Sequence, residues 1–284
     1  MRVRLCPACC PFRPTPPNIR LDMELHIRCT RVWSKDMLLE EILAHKRLEI
    51  EQARAQVPLE QMHRQAKEAP APADFSGVME RPGRIHLIAE IKRASPSAGS
   101  ISPSLSAADC ARLYKRAGAD ALSVLTDGRY FGGSLEDLRQ AKATARLPTL
   151  RKDFFLDAYQ VYEARAAGAD AILLITRILT PPRIQELLNE ARRLRMCAVV
   201  EVHDERDLEA ALQTDARLIG INNRNLETLE VEVETTLRLV PQVPGDRVII
   251  SESGISEPEQ VRRLREAGVS AILVGHSILQ SPDP

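Results

Sequence analysis

Long apolar runs are missing from this sequence. The longest, Ala171–Ile175 and Met196–Val200, hold five residues each, against the roughly 18 that a membrane span needs. A transmembrane protein is excluded. Excess charge is missing too, since 39 Lys+Arg balance 39 Asp+Glu over 284 residues. Seven of the basic and three of the acidic residues lie in 1–36, so the rest of the chain is slightly acidic. A nucleic-acid binder puts a basic face on its folded body, and no such partner is expected. Beyond residue 36 cysteine is down to Cys110 and Cys197, isolated on apolar segments. That pattern suggests a reduced interior and not a disulfide framework. The six histidines (His26, His45, His63, His86, His203 and His276) show no metal-ligand spacing, and no metal or cofactor is expected. Walker A and Gly-x-Ser-x-Gly motifs are absent, and no GxGxxG follows the first strand-like run, which weighs against a dinucleotide-binding fold.

Residues 1–36 differ from the rest. They combine five prolines with scattered Arg and follow neither a period of 2 nor one of 3.6. The expectation is an irregular extension, disordered or translated from a start upstream of Met37. Two sharper readings stay beside it: a metal knuckle on Cys6, Cys9 and Cys10 completed by His26 or Cys29, and an Arg-rich targeting peptide.

From residue 37 onward the pattern is regular and reads as one domain, 37–284. Leu39, Ile42, Leu43, Lys46, Ile50 and Ala53 follow the helical period and predict an amphipathic helix ending near Pro58. A shorter helix is predicted around 59–68. Eight short apolar runs then alternate with helical stretches: 86–91, 121–125, 149–152, 171–175, 198–202, 218–222, 248–251 and 271–274. They lack polar alternation, so both faces are buried and the sheet is parallel. Thr180-Pro181 and Asp204 read as helix starts, and Ser256 to Glu259 has capping-box spacing.

An internal repeat supports this. Ala117-Gly-Ala-Asp-Ala-Leu, Ala167-Gly-Ala-Asp-Ala-Ile and Ala267-Gly-Val-Ser-Ala-Ile each close a helix and open a strand. Their glycines lie at 118, 168 and 268, the spacing of alternate strands, with the missing copy at Thr214. Eight strands with alternate-strand similarity predict an α/β chain of (β/α)8 TIM-barrel type with an extra N-terminal helical segment. Only nine residues follow Gly275, so the eighth helix is expected to be truncated.

In such a barrel chemistry sits at the C-terminal ends of the strands. There the runs end in polar residues: Glu90 and Lys92, Arg151-Lys152-Asp153, Glu201, Asn222-Asn-Arg224, and Ser251-Glu252-Ser253. A single charge there is simply solvated as the strand leaves the core. Two lysines and three glutamates on one face perturb each other's protonation, as acid–base chemistry requires. Ser253-Gly254 and Gly275-His276 can direct backbone N–H groups at one anion, the usual phosphate position of such barrels.

The segments Ala89-Glu-Ile-Lys-Arg-Ala-Ser-Pro-Ser97, Arg129-Tyr-Phe-Gly-Gly-Ser134, Leu150-Arg-Lys-Asp-Phe154, Glu201-Val-His203, Ile219-Gly-Ile-Asn-Asn-Arg224 and Ser251-Glu-Ser-Gly-Ile255 together resemble the indole-3-glycerol phosphate synthase family of tryptophan biosynthesis. The resemblance spans about residues 37–284 and implies a cytoplasmic enzyme without a cofactor. It implies closure of the indole ring of 1-(2-carboxyphenylamino)-1-deoxyribulose 5-phosphate with loss of carbon dioxide and water. By the same resemblance Lys152 is the general acid of ring closure and Glu201 a base or its charge partner. Glu90 and Lys92 serve carboxylate positioning and dehydration, and the motif leaves open which group acts in which proton transfer. Ser95, Asn222, Arg224 and Glu252 are implied as substrate contacts, Phe154 as a wall for the anthranilate ring, and Ser253, Gly254, Gly275 and His276 as the phosphate site. His276 departs from the small or acidic residue usual there.

The partners expected are a small phosphorylated substrate and neither nucleic acid nor membrane. The chain is expected as a monomer or weak homo-oligomer, with association with other tryptophan-pathway enzymes and organellar targeting by residues 1–36 left open. A catalytically degenerate barrel serving as an assembly subunit is the alternative from another class. Phosphoribosylanthranilate isomerase is the alternative enzyme, although its chemistry does not call for two lysines.

Overall fold

A computed structural model describes residues 35–95, 99–100, 105–225, 230–275 and 277–278, with the side chains of 35–37, 95 and 99–100 left aside. The expectations for residues 1–34, with Cys6, Cys9, Cys10, His26 and Cys29, fall outside the described residues. Three helices come first: α1 (Lys35–Gln56), α2 (Leu59–Glu68) and α3 (Phe75–Met79). The first begins at Lys35, two residues before the regular pattern read from the sequence.

Eight strands follow: β1 (His86–Ile91), β2 (Ala121–Leu125), β3 (Thr149–Lys152), β4 (Ala171–Ile175), β5 (Cys197–Val202), β6 (Leu218–Asn222), β7 (Val248–Glu252) and β8 (Ala271–Val274). Each pairs in parallel with its sequence neighbour, and β1 pairs with β8, which closes the barrel. Helices α4 (Ala107–Arg116), α5 (Gly128–Phe131), α6 (Leu135–Ala145), α7 (Ala158–Ala166), α8 (Pro181–Arg193), α9 (Glu205–Leu212), α10 (Glu234–Leu239) and α11 (Pro258–Glu266) lie between them. This is a (β/α)8 barrel, as the periodicity predicts. A short antiparallel ladder of Ala94–Ser95 with Gly99–Ser100 follows β1, and nothing in the sequence pattern announced it. For the eighth helix only Ser277 and Ile278 are described. Both are helical, Ile278 packs on the outer core, and Ser277 Oγ donates to the Ile255 carbonyl at 2.9 Å. Among the described residues no helix is long and apolar enough to cross a membrane.

Two apolar layers hold the barrel. The outward faces of the strands pack on the helices, while Ile88, Leu150, Leu173, Val199, Leu218 and Ile250 fill the interior. Phe75 and Met79 of α3 belong to that inner cluster. Asp74 caps α3 by accepting from the Gly77 N–H at 2.8 Å. The longer N-terminal helices dock on α7: Tyr159 Oη lies 2.9 Å from the carbonyls of Ala53 and Val57 at the end of α1.

The repeat has a structural cause. Gly118, Gly168 and Gly268 adopt φ of 90°, 95° and 96°, a left-handed conformation that only glycine takes without penalty. Each donates to the carbonyl three residues back, and the next residue donates to the carbonyl five back, the Schellman closure. The repeated aspartate works as well: Asp120 accepts from the Leu87 N–H at 3.0 Å and Asp170 from the Thr149 N–H at 2.7 Å, tying each strand to its predecessor. At the missing copy, Thr214 Oγ1 donates to the Ala211 carbonyl at 2.7 Å and closes the turn by side chain.

One expected cap moves. Spacing placed the start of α11 at Ser256, but Pro258 occupies its first turn and makes Glu257 the N-cap residue. Gln260 Oε1 then accepts from the N–H groups of Ser256 and Glu257 at 2.9 and 3.0 Å.

At the end of α8 the exposed Arg195 takes the glycine position with φ 60°. Relief of a left-handed penalty of ~1–2 kcal/mol, less ~0.4–1 kcal/mol for a freer unfolded chain, leaves a small gain. Arg195→Gly is therefore expected to raise the denaturant midpoint; a lowered midpoint contradicts this account of the turn.

Candidate active site

Side chains alternate along a strand, so residues two apart share a face. Ile88, Leu150, Val199 and Ile250 point into the barrel core. Two residues further toward the C-terminal end of the same strands stand Glu90, Lys152, Glu201 and Glu252. The spacing that fills the interior thus also builds the charged layer above it. On β6 the inward residues above Leu218 are Gly220 and Asn222, paired in register with Glu201 on one side and with Ile250 and Glu252 on the other. A Cβ at Gly220 would fall onto Glu252 Oε1 and lie 2.9 Å from Val199 Cγ1. Glycine there gives the Glu252 carboxylate its space.

Lys152 is the hub. Its Nζ donates to Glu252 Oε2 and lies 3.4 Å from Glu201 Oε2. Lys92, just beyond β1, donates to Glu90 Oε1 at 2.7 Å. The five charged residues are therefore brought together. Burial works against the Lys152 ammonium, but Glu252, Glu201 and Glu90 outweigh it and hold its pKa well above the usual lysine range. Burial likewise opposes charge on Glu201 and Glu90. Lys152 with His203 and Asn222 holds Glu201 low, and Lys92 with Lys152 holds Glu90 low. Glu252 goes the other way. It is completely buried, and burial with the nearby Glu201 and Glu90 charges raises its pKa despite Lys152. The site therefore holds an ammonium that stays charged, two carboxylates that stay ionised, and one that takes up a proton readily.

The remaining predicted residues distribute as follows. Phe154 follows β3, half-buried, its ring centroid 6.1 Å from that of Phe131. Asn222 is buried at the end of β6 and its Oδ1 accepts from the Arg224 N–H at 3.0 Å. Arg224 is half-buried and bridges to Val231. Ser253 and Gly254 leave β7 with φ of 69° and 75°, two consecutive left-handed residues and a strained turn for the serine. Gly275 follows β8 and lies against Glu90, where a Cβ would meet Glu90 Cβ at 2.8 Å. Ser95 is described by its backbone alone, paired with Gly99. His276 lies outside the described residues.

Two groups escaped the sequence reading. Lys46, on the buried face of α1 and 3% exposed, reaches Asp127 Oδ2 at 3.0 Å and Asp153 Oδ1 at 2.9 Å. Asp153 also accepts from Arg151 at 3.0 Å and from Thr126. The lysine occupied an apolar position of the helical period, and that mismatch was the available signal. The second group, His203 with Asp207 and Arg177, stands behind Glu201. Among the described residues no cluster of three or more His, Cys, Asp or Glu is arranged to hold a metal ion.

With this geometry in place, comparison with known proteins is specific. A family profile described as Indole-3-glycerol phosphate synthase matches residues 39–284. A protein of that name from Dechloromonas aromatica (strain RCB) is 48% identical over 250 residues, covering 87% of this chain and 95% of its own length. One from Polaromonas naphthalenivorans (strain CJ2) is 47% identical over 250 residues, with the same coverage. Among solved structures, 3-hexulose-6-phosphate synthase from Salmonella typhimurium aligns with a TM-score of 0.57 at 14% identity, over 70% of this chain and 93% of that one. That likeness speaks for the barrel alone. By profile, identity and coverage, this chain belongs to the indole-3-glycerol phosphate synthase family.

Proposed function

We propose that the chain catalyses the reaction for which its relatives are named: conversion of 1-(2-carboxyphenylamino)-1-deoxyribulose 5-phosphate to indole-3-glycerol phosphate, carbon dioxide and water. The observation that carries this reading is Lys152 Nζ held between Glu252 and Glu201 at the end of the barrel where chemistry occurs. In the first step the ring carbon bearing the carboxylate attacks the sugar ketone. A carbon–carbon bond forms, the carbonyl π pair moves to oxygen, and Lys152 gives that oxygen a proton. The substrate nitrogen lends its lone pair and becomes iminium, so loss of carbon dioxide returns the pair to nitrogen and restores the ring. This electron sink makes a cofactor unnecessary. Dehydration then needs an acid on the new hydroxyl and a base for the adjacent C–H proton.

Glu201, kept ionised by Lys152 and His203, suits the base. The Lys92–Glu90 pair, bonded at 2.7 Å, suits the acid side and the holding of the carboxylate. A lysine flanked by two carboxylates is a reluctant acid. Glu252 eases this, because its raised pKa lets it take up a proton and release part of its hold on Lys152. Asn222, Arg224 and Ser95 serve as substrate contacts and Phe154 as the ring wall. The N–H groups around Ser253, Gly254 and Gly275 bind the phosphate. The same reading places the chain in the cytoplasm as a monomer or weak homo-oligomer acting on a small phosphorylated substrate.

Purified protein given this substrate is expected to produce the fluorescence of an indole with saturation kinetics. An amount of enzyme sufficient for stoichiometric binding that yields no indole contradicts the proposal.

A further inference from the structure

Behind Glu201 the charges continue in a row. His203, buried at the exit of β5, has Nε2 3.2 Å from Glu201 Oε1 and Nδ1 3.1 Å from Asp207 Oδ2. The same Asp207 oxygen accepts from the His203 backbone N–H at 3.0 Å. Asp207, in the first turn of α9, is gripped by Arg177 Nε at 2.8 Å, and Arg177 also reaches Asp204, the N-cap residue of α9, at 2.5 Å. From the helix layer to the barrel mouth the order is Arg177, Asp207, His203, Glu201, Lys152, Glu252, alternating in sign. The charged groups that face the imidazole are Glu201 from β5 and Asp207 from α9. Arg177 and Asp204 stand behind Asp207, and Lys152 from β3 behind Glu201. The neighbouring strands add neutral partners: Thr176, after β4, bonds to the Glu201 carbonyl at 2.8 Å, and the Asn222 amide of β6 helps to hold the Glu201 pKa low.

A neutral imidazole carries one N–H, so between two carboxylates it would turn a lone pair on one of them. Only the doubly protonated ring presents positive charge and no lone pair to both. We propose that His203 is a positioning residue for this reaction: its imidazolium, anchored on Asp207, fixes the orientation and the charge of the Glu201 carboxylate whose other oxygen faces Lys152. The proposal rests on the synthase reading for its purpose and on the contacts above for its geometry. Burial would discharge the ring, but Asp207 and Glu201 outweigh burial and raise its pKa to about 9. Glu201 is held low by Lys152 first and by His203 next. The sign follows: support from His203 is complete at neutral pH and is lost as pH rises through the pKa of the ring.

The test pairs a ring titration with a rate profile on the full chain. In carbon- or nitrogen-detected NMR, the His203 ring is expected to stay imidazolium through neutrality and to deprotonate near pH 9. In Asp207→Asn its pKa is expected to fall toward the ordinary ~6.5. The same variant should then gain an alkaline limb in kcat near neutrality, absent from the parent. His203→Gln should lower kcat on the order of 10²-fold, the scale of a misplaced catalytic group, with KM nearly unchanged. It should also abolish the new limb when combined with Asp207→Asn. A neutral His203 ring at pH 7 overturns the proposal. So does a loss of kcat that is equal at every pH in Asp207→Asn, because a merely structural role predicts that. Absence of turnover in the parent chain sinks the synthase reading instead, and the ring titration still decides whether the charged row exists.

Discussion

Lys152→Met is expected to lower kcat by about 10²–10⁴-fold, the range for loss of a general acid, while KM changes far less. Methionine keeps an unbranched stem as far as Cε and lacks the ammonium. The loss of positive charge leaves Glu252 and Glu201 facing each other, but Glu252 already sits with a raised pKa. It takes the proton, and the fold survives. In the reaction no other ammonium stands between those two carboxylates among the described residues. Lys92 is committed to Glu90 on β1, at another part of the rim. Steady-state kinetics on a variant shown to be folded by circular dichroism check this. Retention of more than about a tenth of the parent turnover, less than any general-acid effect, removes Lys152 from its assigned role.

The second large effect concerns stability. Lys46→Met leaves Asp127 and Asp153 buried beside an apolar side chain. Breaking a buried pair by deleting one partner costs about 3–5 kcal/mol, against a whole-protein stability of about 5–15 kcal/mol. For a chain of this size that amounts to a fall in Tm on the order of 10 °C. The lysine's charge is secure in the parent: burial opposes it, but Asp153, Asp127 and Glu49 hold its pKa above the ordinary range. Asp127→Asn removes one of the stranded charges and keeps the oxygen that accepts from the Tyr130 N–H at 2.8 Å. The double variant should therefore unfold at a higher temperature than Lys46→Met alone. A drop of less than about 1 kcal/mol for Lys46→Met, within the range of an exposed pair, contradicts the account of this cluster.

The same residue shows how far the sequence could be read. Strands were legible because a doubly covered parallel sheet leaves apolar runs that stop where the chain turns polar. Seven of their starts coincide with the structure, and β5 opens one residue earlier, at Cys197. The end of β7 was missed by one residue because Glu252 is polar, yet it is completely buried. Lys46 counted as part of an apolar stripe, although its burial is ionic, and its two buried partners come from segments 81 and 107 residues away. Periodicity places a residue on a face and says nothing of what that face meets. Glu90, Lys92, Lys152, Glu201 and Glu252 were legible as a group because strand ends in a closed barrel share one rim. The opposite protonation tendencies of Glu201 and Glu252 were not, since they depend on Asn222 and His203 beside one and on the tight space above Gly220 around the other. Ser256 failed as a cap for a local reason already present in the sequence: Pro258 fixes the residue before it as the cap.

On the proposed reading, this barrel face joins ring closure to decarboxylation with the substrate's own nitrogen as electron sink. Substrate labelled with carbon-13 in its aryl carboxylate tests that directly. Labelled carbon dioxide and indole-3-glycerol phosphate should appear in equal amounts and at equal rates, and Lys152→Met should slow both together. Indole product without labelled carbon dioxide, or labelled carbon dioxide released at the parent rate by Lys152→Met, contradicts the account.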